Sequence, residues 1–175
     1  MRQPTDAAKV EAFMAALGRK ASGPGRVYFT GGASAVLVGW RNSTADIDLK
    51  LDPEPAGAFE ALAQLKDELD INIELAAPDQ FVPPLKAWQE RSQFIGVRGA
   101  VEYFHYDFLS QALSKLERGH NRDLEDVRQM LLLNLTSTHE LENGFAAMEA
   151  ALIRYPAVDA RAFRAKVEAF VGAQR

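Results

Sequence analysis

With 175 residues, 47% of them hydrophobic and 25% charged, and with no low-complexity tract, the chain has the composition of a folded globular protein, which excludes wholesale disorder. It contains no cysteine, so disulfide frameworks and thiolate zinc sites are excluded and any metal must be held by oxygen or imidazole. A net charge of -4 argues against holding nucleic acid by bulk electrostatics, and the lack of a long apolar run excludes a membrane-spanning helix and makes the cytoplasm the expected location.

Taken in chain order, Thr5 is placed to cap a first helix in which Val10, Phe13, Met14 and Leu17 recur at helical spacing. VYFT from Val27 reads as a short buried strand, Gly31 and Gly32 break it, and ASAVLVGW continues as a helix. DIDLKL, from Asp46 to Leu51, alternates polar and apolar residues. Period-two geometry therefore puts Asp46, Asp48 and Lys50 on one face, and Ile47, Leu49 and Leu51 on the face turned to a core.

Beyond Pro53 and Pro55 the spacing of Ala58, Leu62, Leu65 and Leu69 predicts a helix, and DINIEL repeats the alternation, with Asp70, Asn72 and Glu74 opposite Ile71, Ile73 and Leu75. Pro78, Pro83 and Pro84 make a loop or a short turn of helix, after which QFIGV and AVEYFHY flank Arg98 and Gly99 as a hairpin. From Asp107 onward the pattern is helical, with stripes through Leu109 to Leu116, Leu124 to Leu135, Leu141 to Leu152 and Phe163 to Val171, and with Gly119 as a stop. The expectation is an α+β fold: a mixed sheet with flanking helices in residues 1–106, followed by a helical region packed on it in residues 107–175.

Charge is unevenly spread. Residues 27–85 hold three Lys/Arg against ten Asp/Glu, whereas residues 1–26 and 151–175 each hold five against two. An acidic block in the sheet region suits a cation site, although solvated helix faces produce such blocks more often. Within it, Asp46 and Asp48 lie one pleat repeat apart on one face, placed to share the hard-oxygen coordination that Mg²⁺ prefers. The missing side chains of Gly31 and Gly32 let the backbone approach a triphosphate, the following helix offers unpaired N–H groups, and Ser34 adds a hydroxyl.

Each motif alone is weak; their order and spacing together are specific. The run GGASAVLVGWRNSTADIDL resembles the signature of the polymerase-beta-type nucleotidyltransferase superfamily, in which one strand ends in Gly-Gly or Gly-Ser and a second carries Asp-x-Asp. More narrowly, FLSQALSKLERGHNRDLEDVRQML resembles a segment of the small bacterial nucleotidyltransferase-like proteins near the abortive-infection (AbiEii-type) toxin group, and the likeness covers about residues 27 to 133.

The resemblance implies triphosphate binding at the glycine turn and Mg²⁺ or Mn²⁺ held by Asp46, Asp48 and a third carboxylate. Glu74 is the candidate for the third, because Asp79 follows Pro78 and suits a turn cap; the family more often has an aspartate in that role. Lys115 matches a helix lysine that approaches the triphosphate, and Asp123 and Asp126 match the acidic pair that orients that lysine or an arginine, with an ordinary helix-helix salt bridge as the alternative.

Arg41 and Thr44, in the loop before the Asp-x-Asp strand, are placed to contact phosphate or acceptor, with a solvent loop as the favoured reading. Trp40 and Trp88 read as packing, and His105, His120 and His139 lack metal-ligand spacing. The expected activity is transfer of a nucleoside monophosphate from a nucleoside triphosphate to an acceptor hydroxyl, with tRNA, protein and small molecules all open as acceptors. An antitoxin or other protein partner in a defence setting is part of that expectation. The competing reading is a non-catalytic nucleotide-binding or protein-interaction module on the same fold.

Overall fold

The computed structural model describes all residues from Met1 to Arg175, and they divide into two units: Met1–Ala77 with Ser92–Tyr106, and Pro78–Arg91 with Asp107–Arg175. The first unit carries α1 (Ala7–Lys20), β1 (Gly25–Thr30), α2 (Gly31–Val38), β2 (Asp46–Leu51), α3 (Ala58–Glu68), β3 (Asn72–Leu75), β4 (Gln93–Arg98) and β5 (Val101–His105). Its five strands form one sheet in the order β3-β2-β1-β5-β4. The β1/β2 and β4/β5 pairs are antiparallel, whereas β2/β3 and β1/β5 are parallel. This is the mixed sheet with flanking helices expected of an α+β nucleotidyltransferase-like fold.

The alternation of β2 decides what lies on each side of that sheet. Ile47 and Leu49 join Val27, Phe29, Val101 and Tyr103 in a buried cluster with Val10, Phe13, Met14 and Leu17 of α1 and Leu62 and Leu65 of α3. Phe29 and Tyr103 stack with ring centroids 5.8 Å apart, and the Tyr103 hydroxyl donates to the Met14 carbonyl at 2.8 Å. Burial of each such large side chain contributes about 1.5–3 kcal/mol, so this face anchors the unit and leaves the polar face of β2 to other work.

α2 ends at Val38, where Gly39 turns left-handed, short of the Trp40 that the run suggested, and two further local details differ from expectation. Asp6, not Thr5, caps α1, accepting from the Lys9 amide at 2.9 Å. Thr5 instead exchanges backbone hydrogen bonds with Thr44, donating at 2.8 Å and accepting at 2.9 Å. The physical reason is that this bridge holds Thr5 in extended pairing, one residue short of the helix. The result is also that Thr44 is buried and bonded, not a solvated loop residue: its hydroxyl donates to the Asp46 carbonyl at 3.1 Å.

The second unit holds a short helix α4 (Trp88–Arg91), then α5 (Phe108–Arg118), α6 (Asn121–Leu132), α7 (Thr138–Met148) and α8 (Ala160–Ala173). Asp107 starts α5, accepting from the Ser110 hydroxyl at 2.6 Å and pairing with Arg91 at 2.9 Å. Gly119 ends it in the left-handed conformation. The stripe expected through Leu152 is α-helical to Met148 and continues as a 3-10 segment, Glu149–Arg154. Phe145 and Phe163 meet edge to face at 4.9 Å, which joins α7 to α8. Trp88 is buried packing, as its residue type suggested, and no helix is long and apolar enough to cross a membrane.

Candidate functional site

The polar face of the sheet carries the acidic motif. Register pairs Asp48 with Thr30 on β1 and with Glu74 on β3, while Asp46 pairs with Asn72. Paired residues on neighbouring strands point to the same side about 4.8 Å apart, so Thr30, Asp48 and Glu74 form a row across three strands, with Asp46 one pleat repeat along β2. Asp46 and Asp48 are half-buried and Glu74 is exposed. Nowhere do three His, Asp or Glu side chains gather closely enough to hold an ion by themselves.

The glycine pair lies where β1 turns into α2. Gly31 has φ +58°, a backbone conformation that strains any residue with a side chain, and a Cβ at this position would stand 3.1 Å from Asp48 Oδ2. Gly32 is needed for space: its Cβ would fall 2.0 Å from the Thr44 hydroxyl oxygen. Thr44 is held by Thr5 and by the Asp46 carbonyl, so one tight packing contact fixes the bend against the loop that leads into β2. The bend and the Asp-x-Asp strand are thereby brought together.

Ser34 sits differently from the glycines. Its side chain is fully buried, with its hydroxyl donating to the Phe29 carbonyl at 3.1 Å and lying 2.9 Å from His105 Nδ1. These two contacts tie α2 to β1 and β5. Burial pulls the His105 pKa from 6.5 down to about 4.

A folded-state pKa below the unfolded value means that the unfolded chain binds the proton more readily. Stability is therefore full above pH 6.5 and declines as pH falls towards 4, by about 3 kcal/mol in total. Denaturant unfolding followed between pH 7 and pH 4 is expected to show this decline in the parent chain and a smaller one in His105→Gln. Equal pH slopes would remove His105 as the cause.

Lys115 lies in the second unit, where it is buried. Its ammonium is 2.8 Å from Asp126 and 3.9 Å from Asp123. Burial pushes the Asp123 carboxyl up, but the hydrogen bond and charge of Arg118, aided by Lys115, outweigh it and hold the group below the ordinary aspartate value. Asp123 also accepts from the His120 amide at 3.3 Å at the start of α6. The remaining side chains raised by the sequence are dispersed: Trp40 and Arg41 are half-buried, Asp79 lies in a 3-10 segment, and His139 is exposed beside Asn143.

One residue of this face escaped the sequence reading. Thr30 ends the apolar run VYFT, and a run that is buried throughout gives no alternation from which its facing could be told. The signal that could have found it is the antiparallel register with β2, which a sequence does not display.

No curated protein and no solved structure matches the chain. Residues 8–175 match the model of one protein family, DUF6036, described as nucleotidyltransferase of unknown function. Since the match spans nearly the whole chain, this protein belongs to that nucleotidyltransferase family.

Proposed function

We propose that the protein is a Mg²⁺-dependent nucleotidyltransferase that moves a nucleoside monophosphate from a nucleoside triphosphate to an acceptor hydroxyl. The observation that carries this reading is the placement of Asp48 against the Gly31 bend, with Asp46 and Glu74 on the same face of the sheet. In this reading the backbone at Gly31 and Gly32 receives the triphosphate, while Asp46 and Asp48, with Glu74 as third carboxylate, would hold the cation that neutralises its charge.

Their donors are hard oxygens, which suit Mg²⁺ or Mn²⁺. Because no three protein ligands close around an ion unaided, water and phosphate oxygens would complete the shell, as is usual for Mg²⁺. Once bound, the cation supplies neutralisation of phosphate charge and polarisation of the acceptor hydroxyl. The acceptor hydroxyl gives its proton to water, its oxygen bonds to the α-phosphorus, the bond from that phosphorus to its bridging oxygen breaks, and pyrophosphate leaves. A toxin-antitoxin or defence setting is supported by the resemblance of residues 108–131 to the abortive-infection toxin group, with an antitoxin as protein partner.

The exposure of Glu74 and the absence of a closed ligand set also favour a second reading, a nucleotide-binding module without turnover. One experiment separates the two. The purified protein is incubated with each α-labelled nucleoside triphosphate, Mg²⁺ or Mn²⁺, and mixed RNA and protein acceptors, and nucleotide affinity is measured by calorimetry with and without the metal. Label joined to an acceptor with release of pyrophosphate is the expected result. Metal-dependent binding without transfer would favour the module, and no binding at all would overturn both.

A further inference from the structure

We infer that Thr30 is a nucleotide-binding residue whose hydroxyl donates to the triphosphate at the β1–α2 bend, an inference that rests on the nucleotidyltransferase reading and deepens it. Thr30 occupies the N-cap position of α2, where a threonine hydroxyl ordinarily accepts from an amide of the first helical turn, yet it makes no such bond. Its side chain is 7% exposed, and no other protein group hydrogen-bonds its hydroxyl. Its oxygen is not sealed from solvent, so a ligand at the bend can reach it.

Where that hydroxyl lies indicates what would satisfy it. Thr30 pairs with Asp48 across β1 and β2 and shares its face of the sheet, and it immediately precedes Gly31, whose missing side chain leaves the approach to Asp48 open. It therefore stands between the carboxylates and the start of an eight-residue helix, whose N-terminal dipole favours an anion. A hydroxyl donor beside helical amides and across from a cation-holding carboxylate is a set of groups that fits a phosphate oxygen. Ser34, the hydroxyl that the sequence offers for this task, is turned inward to Phe29 and His105.

The test compares Thr30→Val, which keeps the β-branched shape and removes the hydroxyl, with Thr30→Ser, which keeps the hydroxyl. Affinity for ATP and GTP in the presence of Mg²⁺ is measured by calorimetry, alongside thermal unfolding of each variant without nucleotide. A hydrogen bond to a charged group corresponds to a loss of roughly ten- to a hundredfold in affinity for Thr30→Val, with Thr30→Ser near the parent and both unfolding temperatures close to it. Equal affinities in the parent and Thr30→Val would overturn this inference and leave the nucleotidyltransferase reading standing. Failure of the parent to bind any nucleotide would overturn both.

Discussion

Replacing Asp46 and Asp48 together by asparagine is expected to cut nucleotide transfer by at least about a thousandfold while leaving the fold intact. The size follows from the several kcal/mol that a metal contributes to stabilising the transition state in phosphoryl chemistry, at roughly 1.4 kcal/mol per factor of ten. The fold should survive because asparagine matches aspartate in shape, both positions are half-buried on the polar face, and the packing of β2 is carried by Ile47 and Leu49 on the opposite face. Label transfer and thermal unfolding, run on the same preparation, check both halves. Transfer that persists in the double variant would remove Asp46 and Asp48 from the chemistry, and a collapsed fold would show that they hold the sheet together instead.

A comparable effect, on stability rather than on rate, is expected in the second unit. Lys115 and Asp126 form an ion pair in which both side chains are almost wholly out of water. Desolvation makes such a pair a modest net contributor, but removing one member strands the other's charge, at a cost of about 3–5 kcal/mol. Asp126→Ala leaves the Lys115 ammonium with Asp123 at 3.9 Å, and the oxygens of Asp123 are already shared with Arg118 at 2.5 Å and 2.9 Å.

Denaturant unfolding should therefore show a large drop in midpoint for Asp126→Ala. Much of it should return in the double variant Lys115→Met, Asp126→Asn, which removes the buried charges together. A loss under about 1 kcal/mol for Asp126→Ala would mean that the pair is solvated and structurally minor. The same measurement bears on the two meanings of this lysine: large coupling with Asp126 marks it as a structural ion pair, whatever further role it has.

Several elements could be read without coordinates because their signals are local. The period-two alternation of DIDLKL follows from strand geometry alone, and β2 buries Ile47 and Leu49 accordingly. The α5 stripe and its stop at Gly119 are likewise local, since a helix periodicity and a left-handed terminus are both written in neighbouring residues. The order Gly-Gly then Asp-x-Asp carried the family, and the match over residues 8–175 agrees with it.

What local patterns could not decide was which residues face one another. Thr30 and Ser34 are both hydroxyl residues beside the glycine pair, and only the pairing of β1 with β2 and the packing of α2 separate them: one is set across from Asp48 and the other is sealed against His105. Thr5 and Thr44 lie far apart in the chain, so no neighbouring residue could announce their bridge. Residues 78–91, rich in proline and without periodicity, joined the C-terminal helices through contacts such as that of the Tyr155 hydroxyl with the Asp79 carbonyl at 2.8 Å. Sequence by itself determined the elements and the family, because backbone geometry and residue type act over a few neighbours. Tertiary structure alone decided which hydroxyl meets the carboxylates, because that depends on register between strands distant in the chain.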